Sequence, residues 1–245
     1  MQKSSRVFSL VAKISVFSLT LFAQSVDVIA AADDGAKGYI AHQSVGPYID
    51  SLVAEHEMDR GDLERWFASA EKKQSILDAI SRPAEKTKPW KDYRKIFVTK
   101  SRIEKGVEFW KKNAAALARA EETYGVPAEM VVSIIGVETR YGSNVGRYRV
   151  IDALSTLAFD YPKRAKFFKK ELTHFLLLTR EQQQDPLSLL GSYAGAMGYG
   201  QFMPSSYREY AVDFDGDTKV DIWENPSDAI GSVANYFKRH GWQSG

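Results

Sequence analysis

The sequence predicts a mainly α-helical protein, on three observations. From Pro47 onward, apolar residues recur at intervals of three and four, the spacing of a helix face. No run sustains the apolar–polar alternation of a half-buried strand. The 245 residues are 44% hydrophobic and 12% aromatic, enough to bury a real core, which excludes a disordered chain and a disulfide-stapled miniprotein. Cysteine is absent, removing disulfides, thiolate metal sites, cysteine nucleophiles and cysteine-linked lipid anchors. The 33 basic and 31 acidic residues leave a formal charge of +2. That field is too weak for a committed nucleic-acid binder, and none is expected as a partner.

Residues 1–32 read as a secretory signal peptide. Lys3, Arg6 and Lys13 precede the apolar run Ile14–Ala23, and the small cluster Ala30, Ala31, Ala32 follows. The apolar run is about half of the roughly 20 residues that span a bilayer. Cleavage after Ala32 removes three bases and one acid, leaving 30 of each. The expected product is soluble, outside the cytoplasm and without a transmembrane segment. Residues 33–46 are expected to be flexible, and 47–98 to form an N-terminal helical region. There Ile49, Leu52 and Val53 mark one amphipathic segment and Leu63, Trp66, Phe67 and Ala70 a second. Two prolines and mixed charge from Arg82 to Pro89 read as a linker. Residues 99–245 are the expected core. It begins with one long helix through Ile103, Val107, Trp110, Ala114, Leu117, Ala118 and Ala120, stopped by Gly125, Val126 and Pro127.

Pro127 suits the first turn of the next helix, where its missing N–H costs nothing. In that helix Ile135, Ile134 and Val131 stand three, four and seven positions before Glu138, so the carboxylate ends an apolar stripe. Desolvation there favours the protonated form, the state required of a general acid. A plain helix-end glutamate paired with Arg140 stays open at this point.

GSYAGAMGYGQFMPSSY, from Gly191 to Tyr207, interleaves glycines with Tyr193, Met197, Tyr199 and Phe202, which no regular amphipathic helix does. Close backbone, aromatic faces and the polar Ser192, Gln201, Ser205 and Ser206 suit a sugar. A glycine-rich turn packed by aromatics is the alternative.

In DFDGDTKVDIWENPSD, Asp213, Asp215, Asp217, Asp221 and Glu224 occupy positions one, three, five, nine and twelve of an EF-hand-like count, with Lys219 at the carbonyl position. Carboxylates so crowded repel unless a cation neutralises them. Thr218 stands where the count expects glycine, and a solvated acidic turn remains the alternative. The basic run Lys163, Arg164, Lys166, Lys169 and Lys170 is a solvated helix face or one that attracts anions. His174 and His240 lack companions at metal-ligand spacing.

GVETRYG at 136–142, ALSTLAFDYPKRAKFF at 153–168, GAMGYGQFMPSSY at 195–207 and DAIGSVANYFKRHGW at 228–242 resemble the membrane-bound lytic murein transglycosylase B family, with a weaker likeness back to Pro47. The resemblance implies a lysozyme-like helical core. It further implies cleavage of peptidoglycan glycan strands between N-acetylmuramic acid and N-acetylglucosamine, ending in a 1,6-anhydromuramoyl product. The family's lone acid/base falls on Glu138. Its sugar groove falls on Ser192 and Gln201, a substrate-side basic position on Arg164, and a residue facing the glutamate on Tyr236; Tyr199 and Met203, in the same glycine-rich segment, are further candidate sugar contacts. One acid suffices because the muramoyl C6 hydroxyl is the nucleophile, where ordinary glycosidases need two carboxylates. No cofactor is expected for catalysis. The family's acidic loop binds calcium as a structural ion and is closed by a later acid, implying Asp213, Asp215, Asp217, Lys219 and Asp228 as ligands with Glu224 the competing closer. Two departures stand out. There is no N-terminal cysteine for a lipid, so a soluble periplasmic monomer is expected. And Gly245 comes soon after the last motif, where family members continue, so part of the groove is expected to be missing. A hydrolysing muramidase, which needs a second carboxylate near Glu138, and a non-catalytic peptidoglycan-binding module are the alternatives.

Overall fold

In the computed structural model, residues 38–82 and 89–244 are described. The expected export signal, 1–32, and most of the expected linker lie outside them. The helices are α1 (Val45–His56), α2 (Arg60–Ser69), α3 (Gln74–Ser81), α4 (Trp90–Phe97), α5 (Lys100–Lys112), α6 (Ala114–Tyr124), α7 (Ala128–Thr139), α8 (Val150–Asp160), α9 (Ala165–Glu181), α10 (Pro204–Tyr210) and α11 (Pro226–Arg239). Two-residue strands β1 (Tyr148–Arg149) and β2 (Leu190–Gly191) pair antiparallel, Tyr148 opposite Gly191. Among the described residues no helix is long and apolar enough to cross a membrane.

The described chain divides into two compact units, each discontinuous in sequence. One holds residues 89–146 and 196–244, the other 38–82 and 147–195. The expected boundary between 98 and 99 lies inside the first.

The second unit is built on α8, buried from Val150 to Ala158 and packed on α9. Phe168, Leu172, Phe175 and Leu176 supply the buried face of α9, leaving its lysines outside. Asp152 is 2% exposed and accepts from Arg149 Nε at 2.8 Å and Nη2 at 2.9 Å, and from the Glu71 N–H at 2.9 Å. A buried carboxylate needs such a set of donors. Before α1, within the segment expected to be flexible, Tyr39 is buried: its N–H donates to the Ala70 carbonyl at 3.0 Å and its hydroxyl to Asp160 at 2.6 Å.

In the first unit α7 packs against α5, α6 and α11. Its stripe is as the spacing predicts, with Val131, Ile134 and Ile135 all buried. The helix before it is not. The expected single helix through Ile103 to Ala120 breaks at Asn113, whose amide donates to the Phe109 carbonyl at 2.8 Å. Its apolar stripe also faces outward: Ile103 is 56% exposed, Val107 49% and Trp110 38%, while Arg102, Gly106 and Phe109 are buried. Tyr141 explains the rotation. A methyl group on Gly106 would lie 2.5 Å from the Tyr141 hydroxyl oxygen, and one on Gly136 of α7 2.4 Å from it. The two glycines form a slot that only the Gly106 face of α5 can close. Gly125 stops α6 as expected, with φ 68°, and its carbonyl accepts from Trp242 Nε1 at 2.9 Å and from the Ser244 hydroxyl at 2.6 Å.

Candidate active site

Glu138 sits in the last turn of α7, 5% exposed. Beyond it Arg140, Tyr141 and Gly142 take successive left-handed conformations, φ 51°, 61° and 83°. That turn throws the chain back toward the glycine segment. The Thr139 hydroxyl donates to the Tyr199 carbonyl at 3.0 Å, and Gln201 Nε2 donates to the Val145 carbonyl and to the Gly198 carbonyl, both at 3.1 Å. Gln201 is itself left-handed, φ 51°, at the tip of a hairpin in which Met197 and Phe202 exchange backbone hydrogen bonds at 2.9 Å. The Tyr199 ring lies where a methyl on Gly142 would be, 2.4 Å away. Glycine is required at 142 on both counts, positive φ and close approach.

Of the sequence-derived sugar contacts, Tyr199, Gln201, Met203 and Tyr236 all belong to this unit. Tyr236 stands edge-on to Phe202 at 5.9 Å and to Tyr210 at 5.0 Å, and stacks on His240 at 3.9 Å. Burial raises its pKa, helped by Tyr210. Ser192 and Arg164 belong to the second unit. Ser192 is 5% exposed beside β2, and the Arg164 guanidinium lies over the Phe167 ring at 4.3 Å on the solvent side of α9.

One neighbour of Glu138 escaped the sequence reading. Burial raises the pKa of Tyr93 on α4, and the Glu138 carboxylate lies close enough to raise it further. The available signal was the spacing Trp90, Tyr93, Phe97, whose rings run 6.1 and 5.1 Å apart along one face. Spacing alone does not show where that face points, and α4 buries no residue of its own.

The acidic loop is ordered by its own carboxylates. Asp213, Asp215 and Asp217 each present an oxygen within 4.8 Å of the others. Asp213 accepts from the Gly216 and Thr218 N–H groups at 2.7 and 2.8 Å, and Asp217 from Lys219 N–H at 2.8 Å. Thr218, standing where the count expects glycine, takes the left-handed φ of 75° that glycine would supply. Asp228, fully buried at the first turn of α11, accepts from the Phe214 N–H and the Asp221 N–H, both at 2.8 Å. It ties the loop's two limbs together. Burial raises its pKa, opposed by those two N–H groups and reinforced by the charges of Asp215 and Asp213. Glu224 is not among the converging carboxylates; its charge acts on Tyr199, raising that phenol's pKa after the larger effect of burial. The loop also meets the glycine hairpin, since the Tyr199 N–H donates to the Ile222 carbonyl at 2.9 Å. A hard cation suits this set of oxygens.

Comparison with known proteins places the arrangement. Residues 41–245 match the family described as the transglycosylase SLT domain. The membrane-bound lytic murein transglycosylase B of Escherichia coli is 51% identical over 207 residues, which are 81% of this chain and 57% of that protein. The chain thus spans little more than half of that relative. The crystal structure of soluble lytic transglycosylase SltB1 from Pseudomonas aeruginosa superposes with a TM-score of 0.82 at 62% identity, over 82% of this chain and 68% of that one. The Escherichia coli lytic transglycosylase Slt35, solved in complex with calcium, superposes with a TM-score of 0.79 at 47% identity, over 92% and 70%. Matched over residues 41–245, with the buried Glu138, the glycine–aromatic hairpin and the acidic loop all inside the match, the chain belongs to the transglycosylase SLT domain family.

Proposed function

We propose that the chain cleaves the β-1,4 bond between N-acetylmuramic acid and N-acetylglucosamine in peptidoglycan without adding water. The observation that carries this reading is the placement of Glu138, buried at the negative end of the α7 dipole and next in the chain to Thr139, whose hydroxyl is bonded to the Tyr199–Gln201 hairpin. Burial and the helix end both favour the proton-bearing acid. Glu138 donates that proton to the glycosidic oxygen as the muramoyl C1–O bond breaks, and N-acetylglucosamine leaves with its 4-hydroxyl restored. The muramoyl C6 hydroxyl then attacks C1 and gives its proton to the Glu138 carboxylate, closing the 1,6-anhydro ring and returning the acid. The atoms balance with no water, cofactor or second carboxylate.

Tyr199, Gln201, Met203 and Tyr236 are assigned to the sugars. In the second unit, Ser192 and Arg164 are assigned to substrate binding in their own right, Arg164 to anionic muramoyl and peptide groups. Asp213, Asp215, Asp217 and the Lys219 carbonyl, with Asp228, are assigned to a structural calcium ion, a reading supported by the converging oxygens and by the calcium complex of the Slt35 relative. Exported as a periplasmic protein, the chain meets its substrate there. The test is mass spectrometry of the soluble products released from purified sacculi. Products one water lighter than those of hydrolysis are expected; water-added products would refute the reading in favour of a muramidase, and sacculus binding without products would refute it in favour of a binding module.

A further inference from the structure

The residue after Glu138 carries a role that neither its spacing nor its type announced. Thr139 is 0% exposed, and its hydroxyl meets three backbone groups at once. It lies 3.0 Å from the Tyr199 carbonyl and 3.2 Å from the Ile135 carbonyl, and accepts from the Gly142 N–H at 3.0 Å. A helical threonine ordinarily returns its proton to the carbonyl four residues back. Here that carbonyl, of Ile135, already accepts the N–H groups of Arg140 and Tyr141. The shorter contact is the one to Tyr199, in another segment of the unit. The Thr139 carbonyl in turn accepts from the Asn144 N–H at 2.9 Å.

These bonds hold a turn that would not hold itself. Arg140 and Tyr141 are both left-handed, a conformation side-chain-bearing residues keep only when their surroundings impose it. The Thr139 hydroxyl fixes the far end of that turn at Gly142 and ties it to the Tyr199–Gln201 hairpin. We infer that Thr139 is a positioning residue: its hydroxyl sets the last turn of α7, and with it the Glu138 carboxylate, against the hairpin assigned to the sugar. The inference rests on Glu138 being the acid. A proton donor displaced by about 1 Å loses on the order of a hundredfold in rate, so the hydroxyl acts on turnover while substrate affinity remains with the sugar contacts.

The test uses the full chain and a soluble muramoyl tetrasaccharide, with kcat and KM measured well below the melting temperature of each variant. Thr139→Val keeps the shape and removes the hydroxyl; Thr139→Ser keeps the hydroxyl and removes the methyl. Expected are a kcat lowered about 10- to 100-fold for Val with KM within about twofold, and a kcat within about threefold of the parent for Ser. Thr139→Ala serves as comparator where Val does not fold, and Ser then exceeds Ala by about tenfold or more in kcat. A kcat for Val close to the parent's, equal losses in the hydroxyl-bearing and hydroxyl-free variants, or a loss confined to KM would overturn the assignment. Glu138→Gln is measured alongside: if it stays active the underlying reading of the acid has failed, whereas an inactive Glu138→Gln with unimpaired Thr139→Val condemns the positioning role alone.

Discussion

Removing one charge from the acidic loop should stabilise the metal-free protein and abolish its response to calcium, two effects of opposite sign from a single substitution. The oxygens of Asp213, Asp215 and Asp217 converge within 4.8 Å. At that separation two full charges repel by about 0.9 kcal/mol even at the dielectric of water, so the three pairs come to about 2.6 kcal/mol. Physiological salt, with a Debye length of about 8 Å, screens this to about 1.4 kcal/mol. Asp215→Asn removes two of the three repulsions and leaves an oxygen to accept the Asn225 amide, which now donates to Asp215 at 2.8 Å, giving up only the longer bond from the Asp217 N–H at 3.3 Å. The gain is about 1 kcal/mol without metal, or a rise of about 2–4 °C in melting temperature for a chain of this size. Calcium at a hundredfold excess over its Kd adds about 2.7 kcal/mol to the parent by mass action, about 5–11 °C. The substituted protein, short of one hard ligand, should show little of that increment. Differential scanning calorimetry in chelator and in millimolar calcium reads both arms. A parent whose midpoint ignores calcium refutes the cation assignment. A metal-free Asp215→Asn protein that melts lower than the parent refutes the repulsion argument, because it would mean that the hydrogen bonds of Asp215 outweigh its crowding. Asp228→Asn is the contrast: with both oxygens of this buried carboxylate accepting backbone N–H groups, it should melt lower with or without metal.

Three further outcomes follow from geometry. Glu138→Gln should lower product release from sacculi by about a hundredfold or more while leaving sacculus pull-down intact, read by mass spectrometry and sedimentation. Gly136→Ala should destabilise by about 1–3 kcal/mol, because the added methyl meets the Tyr141 ring at 2.4–2.8 Å, whereas Gly46→Ala in α1, with nothing within 4 Å, should be neutral or gain up to about 1 kcal/mol in urea titrations. Burial holds the Tyr39 and Tyr48 phenols well above their ordinary pKa, with the Asp160 hydrogen bond raising Tyr39 further. In the unfolded chain they ionise near about pH 10, so stability is fully present below that pH and falls as pH rises through it, by about 1.4 kcal/mol per pH unit for each tyrosine. Urea midpoints between pH 8 and pH 11.5 should therefore decline less steeply for Tyr48→Phe than for the parent.

What was legible in the sequence was whatever a single segment decides for itself. The α7 stripe of Val131, Ile134 and Ile135 is a matter of spacing, and Gly125 and Pro127 punctuate it as their backbone chemistry dictates. The face of α5 was misread because its burial is decided elsewhere. Gly106 and Arg102 look like poor core residues beside Ile103, Val107 and Trp110, yet the Tyr141 ring arriving from the turn after α7 needs the space that only glycine leaves. Its phenol lies within the field of the Arg102 charge, which opposes the burial that raises its pKa. The discontinuity of the two units was likewise invisible. The chain crosses first between Arg82 and Pro89, where two prolines and mixed charge mark a linker, but it crosses again at 146/147 and at 195/196, inside the glycine segment, and no local pattern marks these two.

The site divides along the same line. Glu138, Gln201 and the acidic positions were legible as candidates because each belongs to a short motif whose chemistry is written in consecutive residues. Tyr93 and Thr139 were missed because they matter only through contacts with other segments. Thr139 shows the general reason. A threonine at the end of a helix has an unremarkable local option, a hydrogen bond to its own i−4 carbonyl. That option is contested here because two N–H groups of the left-handed turn already occupy Ile135 O. The turn is left-handed because Tyr141 must enter the slot between Gly106 and Gly136. Residues 30 positions apart along the chain thus decide where the proton of Thr139 goes, and so how the neighbouring glutamate is held. A motif can name the proposed acid; the turn that follows it is set by packing that the motif does not contain.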